Sequence, residues 1–238
     1  MAPSGTPVAL VTGASRGLGL ALARAVAERG WRLVIDARTA SELAAAAEEL
    51  RSRTHTVVRA IPGDVADAAH RRALVDAAGD LGRLDLLVNN ASTLGPSPQP
   101  ALALYPLAVL EQVYRVNVVA PLALVQLALP LLRDSRGQVV NITSDASVEA
   151  FEGWGGYGSA KAALDHLTAV LATEEPDLRV YAVDPGDMNT QMHQDAFPGE
   201  DISDRPPPEA SVPGLLELLD GERPSGRYRT RDLAPAHQ

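Results

Sequence analysis

The stretch Val8-Ala9-Leu10-Val11-Thr12-Gly13-Ala14-Ser15-Arg16-Gly17-Leu18-Gly19 decides the reading of this chain. Its first five residues are aliphatic or β-branched, the pattern of a strand buried on both faces. The apolar residues that follow Gly17 recur with helical spacing, so three glycines sit between a strand and a helix. Glycine there permits a sharp turn and close backbone approach to a ligand. The helix start adds unpaired N–H groups and a partial positive charge, a seat for phosphate. The spacing is Gly-x-x-x-Gly-x-Gly, shifted from the Gly-x-Gly-x-x-Gly of the general dinucleotide template.

Outward from this turn, Val-, Ile- and Leu-rich runs alternate with helical patterns to the end of the chain. Strands are expected at 8–12, 32–36, 56–61, 84–89, 138–144 and 179–183, with a weak seventh near 227–231. Helices are expected at 17–29, 40–53, 67–79, 107–133, 157–173 and 209–219. Such alternation predicts an α/β fold: a doubly wound parallel sheet of about seven strands with helices on both faces. A length of 238 residues suits one domain over 1–238. Thr39-x-x-Glu42 has the form of a capping box, and Gly30 stands where the first helix needs a left-handed stop. The Pro- and Gly-rich break at 197–208 reads as part of a flexible loop over 188–208. The helix at 107–133 is apolar on nearly every face in its second half, and so is much of 160–171, which predicts a homodimer or homotetramer built through them.

Composition narrows the partners. The formal charge is -9, which argues against nucleic acid or an anionic membrane surface and for a small molecule or a protein. The run 118–132 is interrupted by Pro121, Gln126 and Pro130 and is short for a membrane span, and no leader pattern is visible at 1–7. A cytoplasmic protein is the expectation. Cysteine is absent, which removes disulfides and Cys-type metal sites. His55, His70, His166, His193 and His237 lack ligand spacing and read as scattered surface residues, so no metal is expected. Of the 21 basic residues only Lys161 is lysine. It is preceded by Gly158-Ser159-Ala160, so neither a P-loop nor a Ser-x-x-Lys site fits. Its survival is either chance or a position that arginine cannot fill.

Further residues accompany the glycine turn in a set order: Asp64-Val65, Asn89-Asn90-Ala91, Asn117, Ser144, Tyr157-x-x-x-Lys161, and Pro185-Gly186 with Thr190. In these residues nearly the whole chain resembles the short-chain dehydrogenase/reductase family, and it is most similar to the sepiapterin reductase branch. The resemblance implies a Rossmann-type fold and hydride exchange between a nicotinamide and a carbonyl or secondary alcohol. It assigns catalysis to Asn117, Ser144, Tyr157 and Lys161. Cofactor binding falls by the same resemblance to Gly13, Ser15, Arg16, Gly17, Leu18, Gly19, Arg38, Asp64, Val65, Asn90, Ala91, Tyr157, Lys161, Pro185, Gly186 and Thr190.

The chemistry asked of these residues is physically coherent. A phenol with a pKa near ~10 is a poor base at neutral pH. An ammonium ~4 Å away stabilises its phenolate by roughly 4 kcal/mol at an effective dielectric of ~20. Tyr157 and Lys161 stand one helical turn apart, on one face. Ser144, at a strand's carboxyl end, is placed to donate to the substrate oxygen as charge develops. Asn117, by resemblance, holds a water that relays a proton from Lys161.

The second strand ends in both Asp36 and Arg38; an acid there favours NAD and an arginine NADP. In the family's register the acid position falls on Ala37, and Arg16 and Arg38 resemble NADP-preferring members, so NADP(H) is expected. Asn90-Ala91 continues into Ser92 where the family usually has glycine. The place of the branch's pterin-anchoring acid falls on Thr230, which argues against a pterin substrate, and the frequent acidic-glycine tail is replaced by Asp232-Leu233-Ala234-Pro235. Asp145, Glu149, Trp154, Met188, Met192 and Phe197 are either substrate-pocket residues or plain loop residues. The competing function is a catalytically silent NADP(H)-binding regulator of the same fold.

Overall fold

Strand β1, Val8–Val11, is buried throughout: Ala9 and Val11 enter one apolar core, Val8 and Leu10 the other. The computed structural model, which describes residues 5–233, repeats this division along its sheet. In β2 (Arg32–Ala37) Leu33 and Ile35 face the first core and Val34 the second; in β4 (Leu86–Asn89) Leu86 and Val88 oppose Leu87. Successive strand side chains point to opposite faces, so a continuous apolar run is what two covered faces require. Helices α1 (Gly17–Glu28), α2 (Ala40–Thr54) and α8 (Val212–Asp220) cover the first face. Helices α3 (Ala68–Asp80) and α5 (Ala120–Ser135), with the end of α6 (Gly155–Glu174), cover the second.

The sheet is wholly parallel, with order β3-β2-β1-β4-β5-β6-β7. Strands β3 (Val58–Pro62), β5 (Gln138–Ile142), β6 (Arg179–Asp184) and β7 (Gly226–Arg229) complete it. The chain winds outward from β1 to β3, then returns to place β4 on the other side of β1. That reversal opens a crevice at the carboxyl ends of β1 and β4, where the glycine turn and Asn89-Asn90 lie.

Several expectations are adjusted. Strand β3 starts at Val58, and β7 ends at Arg229 because Thr230–Asp232 turn as a 3-10 helix. The last helix starts later than expected: Pro208–Ser211 form a 3-10 turn and α8 follows it. The loop 188–208 contains a short helix, α7 (Gln191–Ala196). Thr39 does cap α2, but its side chain makes no capping bond; Glu42 turns instead to the Ser15 hydroxyl, at 3.5 Å, and to Arg16, at 3.6 Å. Gly30 has φ +80°, as a left-handed stop requires.

The helix 107–135 is long and apolar enough to cross a membrane by length and composition. Its buried residues Leu124, Val125, Ala128 and Leu132 are spent on the second core. It is interrupted by a π turn at Arg115–Val119 between α4 (Leu107–Tyr114) and α5. The histidines are not all on the surface: His70 is buried, with His193 largely covered beside Phe197. His237 and Ala234-Pro235 lie outside the described residues.

Candidate active site

Gly13 and Gly17 adopt φ +66° and +57°, backbone that L side chains rarely enter. Gly19 is a packing glycine: a Cβ on it would stand 2.4 Å from the Gly13 carbonyl oxygen and 2.5 Å from Asn90 Nδ2. Thr12 and Asn90 sew the turn to the end of β4. Thr12 Oγ1 donates to the Val88 carbonyl and accepts from the amides of Asn90 and Ala91, each at 3.0 Å. Asn90 Nδ2 donates to the carbonyls of Thr12 and Gly13. Backbone thus forms the floor of the crevice, and a Cβ on Gly13 would meet Ala91 Cα at 2.9 Å.

Asp36 is fully committed inside the protein. One carboxylate oxygen accepts the Gly13 amide at 2.7 Å and the other pairs with His70 Nε2 at 3.0 Å, with Asp36 1% exposed. A buried carboxylate demands such partners. Asp36 therefore braces the glycine turn, while Arg38, exposed, lines the cleft just beyond it.

Tyr157 and Lys161 are both buried on α6, at 8% and 2% exposure. The Lys161 ammonium donates to the Ile142 carbonyl at 2.8 Å and lies 5.5 Å from the centre of the Tyr157 ring. In the chain alone the Tyr157 phenol is pushed well above its ordinary range by burial, and Asp145 and Asp184 push it further. Burial also pushes Lys161 down, to about 8, against a smaller upward pull from Asp165. The phenol needs additional positive charge in the cleft before it ionises near neutral pH.

Ser144 lies just past β5, and its hydroxyl donates to Asp145 Oδ1 at 2.9 Å while accepting the Ala146 amide. A bound carbonyl oxygen would take over that proton by rotation of the hydroxyl. Asn117 sits in the π turn with its side chain already spent: Oδ1 accepts from Ser92 Oγ and the Thr93 amide, and Nδ2 donates to the Thr93 carbonyl. Its side chain therefore shapes the loop after β4, with one N–H of Nδ2 outside these bonds. The π turn, which shifts helix hydrogen bonds by one residue, is where backbone acceptors come free.

A cleft of about 680 Å3 joins these parts. Its walls include the glycine turn through Leu18, then Arg38, Asp64-Val65 and Asn90-Ala91. Ser144, Tyr157, Lys161, Pro185-Gly186 and Thr190 complete the expected set on its other side. Gly19 and Asn117 support the wall from behind. Trp154, Met188, Met192 and Asp145 also reach the cleft; Phe197 packs behind Trp154 at 5.9 Å, and Glu149 lines a smaller neighbouring pocket.

A family profile described as short chain dehydrogenase matches residues 7–201. The chain belongs to the short chain dehydrogenase family. It is 39% identical over 237 residues to a rhamnolipids biosynthesis 3-oxoacyl-[acyl-carrier-protein] reductase of Pseudomonas aeruginosa, covering 95% of this chain and 86% of that one. It is 36% identical over 202 residues to the sepiapterin reductase of Mus musculus, covering 80% and 77%. The fold matches a short chain dehydrogenase from Escherichia coli CFT073 solved with NADPH, at a TM-score of 0.88 and 30% identity over 94% of this chain and 96% of that chain.

Sequence reasoning about this short chain dehydrogenase missed three contributors to the site. The Asp36–His70 pair spans 34 positions, and no local pattern signals it. Glu42 was legible only as a helix cap. Ser92 was visible as a departure from the family's glycine, but its contacts were not.

Proposed function

We propose that this short chain dehydrogenase is an NADP(H)-dependent oxidoreductase that exchanges a hydride with a carbonyl or secondary alcohol, with Tyr157 as general acid/base. The observation that carries the reading is the buried Tyr157–Lys161 pair facing, with Ser144, the same cleft that the glycine turn floors. The nicotinamide, when bound, supplies the hydride and, once oxidised, a positive charge. Gly13, Gly17, Asn90 and Ala91 would hold it against exposed backbone, with α1 directing its N-terminus at the phosphates. Ser144 orients the substrate oxygen, Tyr157 Oη delivers or removes its proton, and Lys161 keeps the phenolate tolerable. Trp154, Met188, Met192 and Leu94 line the cleft, which favours a carbonyl with an apolar or flat flank. Consumption of NADPH followed at 340 nm across a panel of such carbonyls tests the reading; tight NADPH binding without turnover on any of them would replace it with the regulator.

The preference for NADP(H) rests on two features. Both oxygens of the buried Asp36 already have a partner, the Gly13 amide and His70, and Arg38 and Arg16 line the cleft beside it, where a 2'-phosphate would lie. Arg16 already faces Glu42, at 3.6 Å, so Arg38 is taken as the larger contributor. Arg38→Ala is expected to lower kcat/KM for NADPH about tenfold, the worth of one charge-assisted contact to phosphate, and to leave NADH nearly unchanged. Equal losses for both cofactors would remove Arg38 from the phosphate site.

The reading extends to a small-molecule enzyme of the cytoplasm that self-associates. Val119, Leu122 and Leu127 of the long helix and Val170 of α6 are each more than a third exposed, an apolar surface suited to a second copy. Size-exclusion chromatography with light scattering is expected to show a dimer or tetramer that Leu122→Glu/Leu127→Glu breaks; a monomeric native chain would end this part of the reading.

A further inference from the structure

Arg227 belongs to β7, at the edge of the sheet, and its side chain reaches over β6 to the turn that follows β5. Its Nε donates to Asp165 Oδ2 at 3.0 Å and its Nη2 to the Ser144 carbonyl at 3.0 Å. Nη2 also lies 3.4 Å from Ser147 Oγ and 3.5 Å from Asp184 Oδ2. One guanidinium thus ties the turn that carries Ser144 to α6, the helix that carries Tyr157 and Lys161. Asp165 stands one helical turn beyond Lys161, on the same face.

The supply of hydrogen-bond donors at this turn depends on the arginine. Ser147 Oγ lies 2.6 Å from Asp165 Oδ2 and 2.7 Å from the Ser144 carbonyl, and its single proton serves only one of them. The Arg227 and Asp165 side chains are 26% and 15% exposed, so the charge-assisted bonds between these groups are largely shielded from water. The same turn also rests directly on α6: a Cβ on Gly158, next to Tyr157, would stand 2.6 Å from the Ala146 carbonyl. Asp184 depends less on Arg227. It has Arg229 Nε at 3.7 Å as a second cation, and its other oxygen accepts the Gly186 amide at 2.9 Å. Loss of Arg227 would therefore strip the Ser144 turn and Asp165, and leave the Pro185-Gly186 wall of the cleft held.

We propose that Arg227 is a positioning residue for Ser144: by holding the Ser144 carbonyl and Asp165 together, it clamps the turn after β5 onto α6, so that the Ser144 hydroxyl and the Tyr157 phenol reach one substrate oxygen. Arg227 is not among the residues that line the cleft, and it acts through the Ser144 backbone. The precision required is high, since a misplacement of about 1 Å can cost about a hundredfold in rate. Two acceptors on separate elements call for a fork of donors, which a guanidinium has and an ammonium lacks. The proposal rests on the oxidoreductase reading, in which Ser144 and Tyr157 share the substrate oxygen.

Arg227→Gln removes the guanidinium, and Asp165→Asn/Arg227→Gln removes it together with the carboxylate that it would leave unpaired. Both variants are expected to lower kcat for carbonyl reduction about twentyfold, while the Kd for NADPH stays within about threefold. Ser144→Ala alone should cost about a hundredfold or more. Adding Arg227→Gln to Ser144→Ala should cost less than about threefold further, because two residues that act through one group do not multiply their losses. Multiplied losses, or a matching fall in NADPH affinity, would mark a merely structural role and overturn the proposal. So would a native kcat in either variant, and the charge-free pair carries the test if Arg227→Gln does not fold. Amide hydrogen exchange over 145–149 with NADPH present reads the clamp without turnover, since the Ser147, Val148 and Glu149 amides bond within this turn. It is expected to quicken about tenfold in both variants, and unchanged exchange overturns the proposal whatever the rates. If the native protein turns over no carbonyl, the oxidoreductase reading falls, and quickened exchange still upholds Arg227 as the clamp on the Ser144 turn.

Discussion

Tyr157→Phe is expected to lower kcat for carbonyl reduction by about a thousandfold while NADPH binding, read by fluorescence titration, stays within about threefold. The magnitude follows from removing a positioned general acid, worth about a hundredfold to ten-thousandfold. The ring itself is kept, and its surroundings explain why the fold should tolerate the change. Tyr157 packs with Leu94 and Ala146 and meets the edge of Trp154 at 5.8 Å, contacts that a phenylalanine ring preserves. Only the Oη atom is lost, and with it the proton path to the substrate oxygen. Turnover near the native rate would remove Tyr157 from the chemistry and leave Ser144 as the group to examine.

Lys161→Arg is expected to be nearly as severe, a loss of about a hundredfold or more, although the charge is retained. The ammonium is a compact donor, 2% exposed and hydrogen-bonded at 2.8 Å to the Ile142 carbonyl. A planar guanidinium is broader and brings five donors into a space that satisfies one, so it has to shift away from Tyr157 or leave donors unpaired. Activity in Lys161→Arg close to native would return the lone lysine to chance. A second substitution separates function from stability. Lys161 is held down to about 8 from 10.5, so its charged form is less stable in the folded chain than in the unfolded one. Below pH 8 both states bind the proton and the full penalty applies. Between pH 8 and 10.5 the unfolded chain binds more protons, so stability rises with pH through that window. The depression corresponds to about 3 kcal/mol, and the orphaned Ile142 carbonyl in Lys161→Met returns about 1. Lys161→Met should therefore be inactive yet about 2 kcal/mol more stable at pH 7 in urea unfolding, with the advantage shrinking toward pH 10. A loss of stability at pH 7 would show that Lys161 is not a burden on the fold.

The Tyr157–Lys161 pair illustrates what was legible beforehand. Tyr157 and Lys161 are four positions apart on one helix, and helical geometry alone places them on one face. The glycine turn was legible for a similar reason, since positive φ selects glycine at Gly13 and Gly17 by a local steric rule. The polar partners were not. Thr39-x-x-Glu42 satisfies the capping pattern, yet the Ser15 hydroxyl and Arg16 draw Glu42 away, because the loop after β1 approaches the start of α2 only in the folded chain. Asn117 is assigned a relay water by resemblance, and the fold engages its Oδ1 with Ser92 and Thr93 and one N–H of its Nδ2 with the Thr93 carbonyl.

The glycine stretch and the alternation of patterns around it were enough to determine a parallel α/β sheet, a phosphate-seating turn after β1 and a tyrosine–lysine pair on one helix. These depend on backbone sterics and on periods of two and 3.6 residues, which act between near neighbours. Tertiary structure alone decided that Asp36, paired with His70, braces the turn through the Gly13 amide, that Arg38 is left at the rim of the cleft, and that Ser92 bonds Asn117. The Asp36 and Ser92 outcomes depend on a polar atom finding its partner tens of residues away, and only the packed chain settles which partner is within reach.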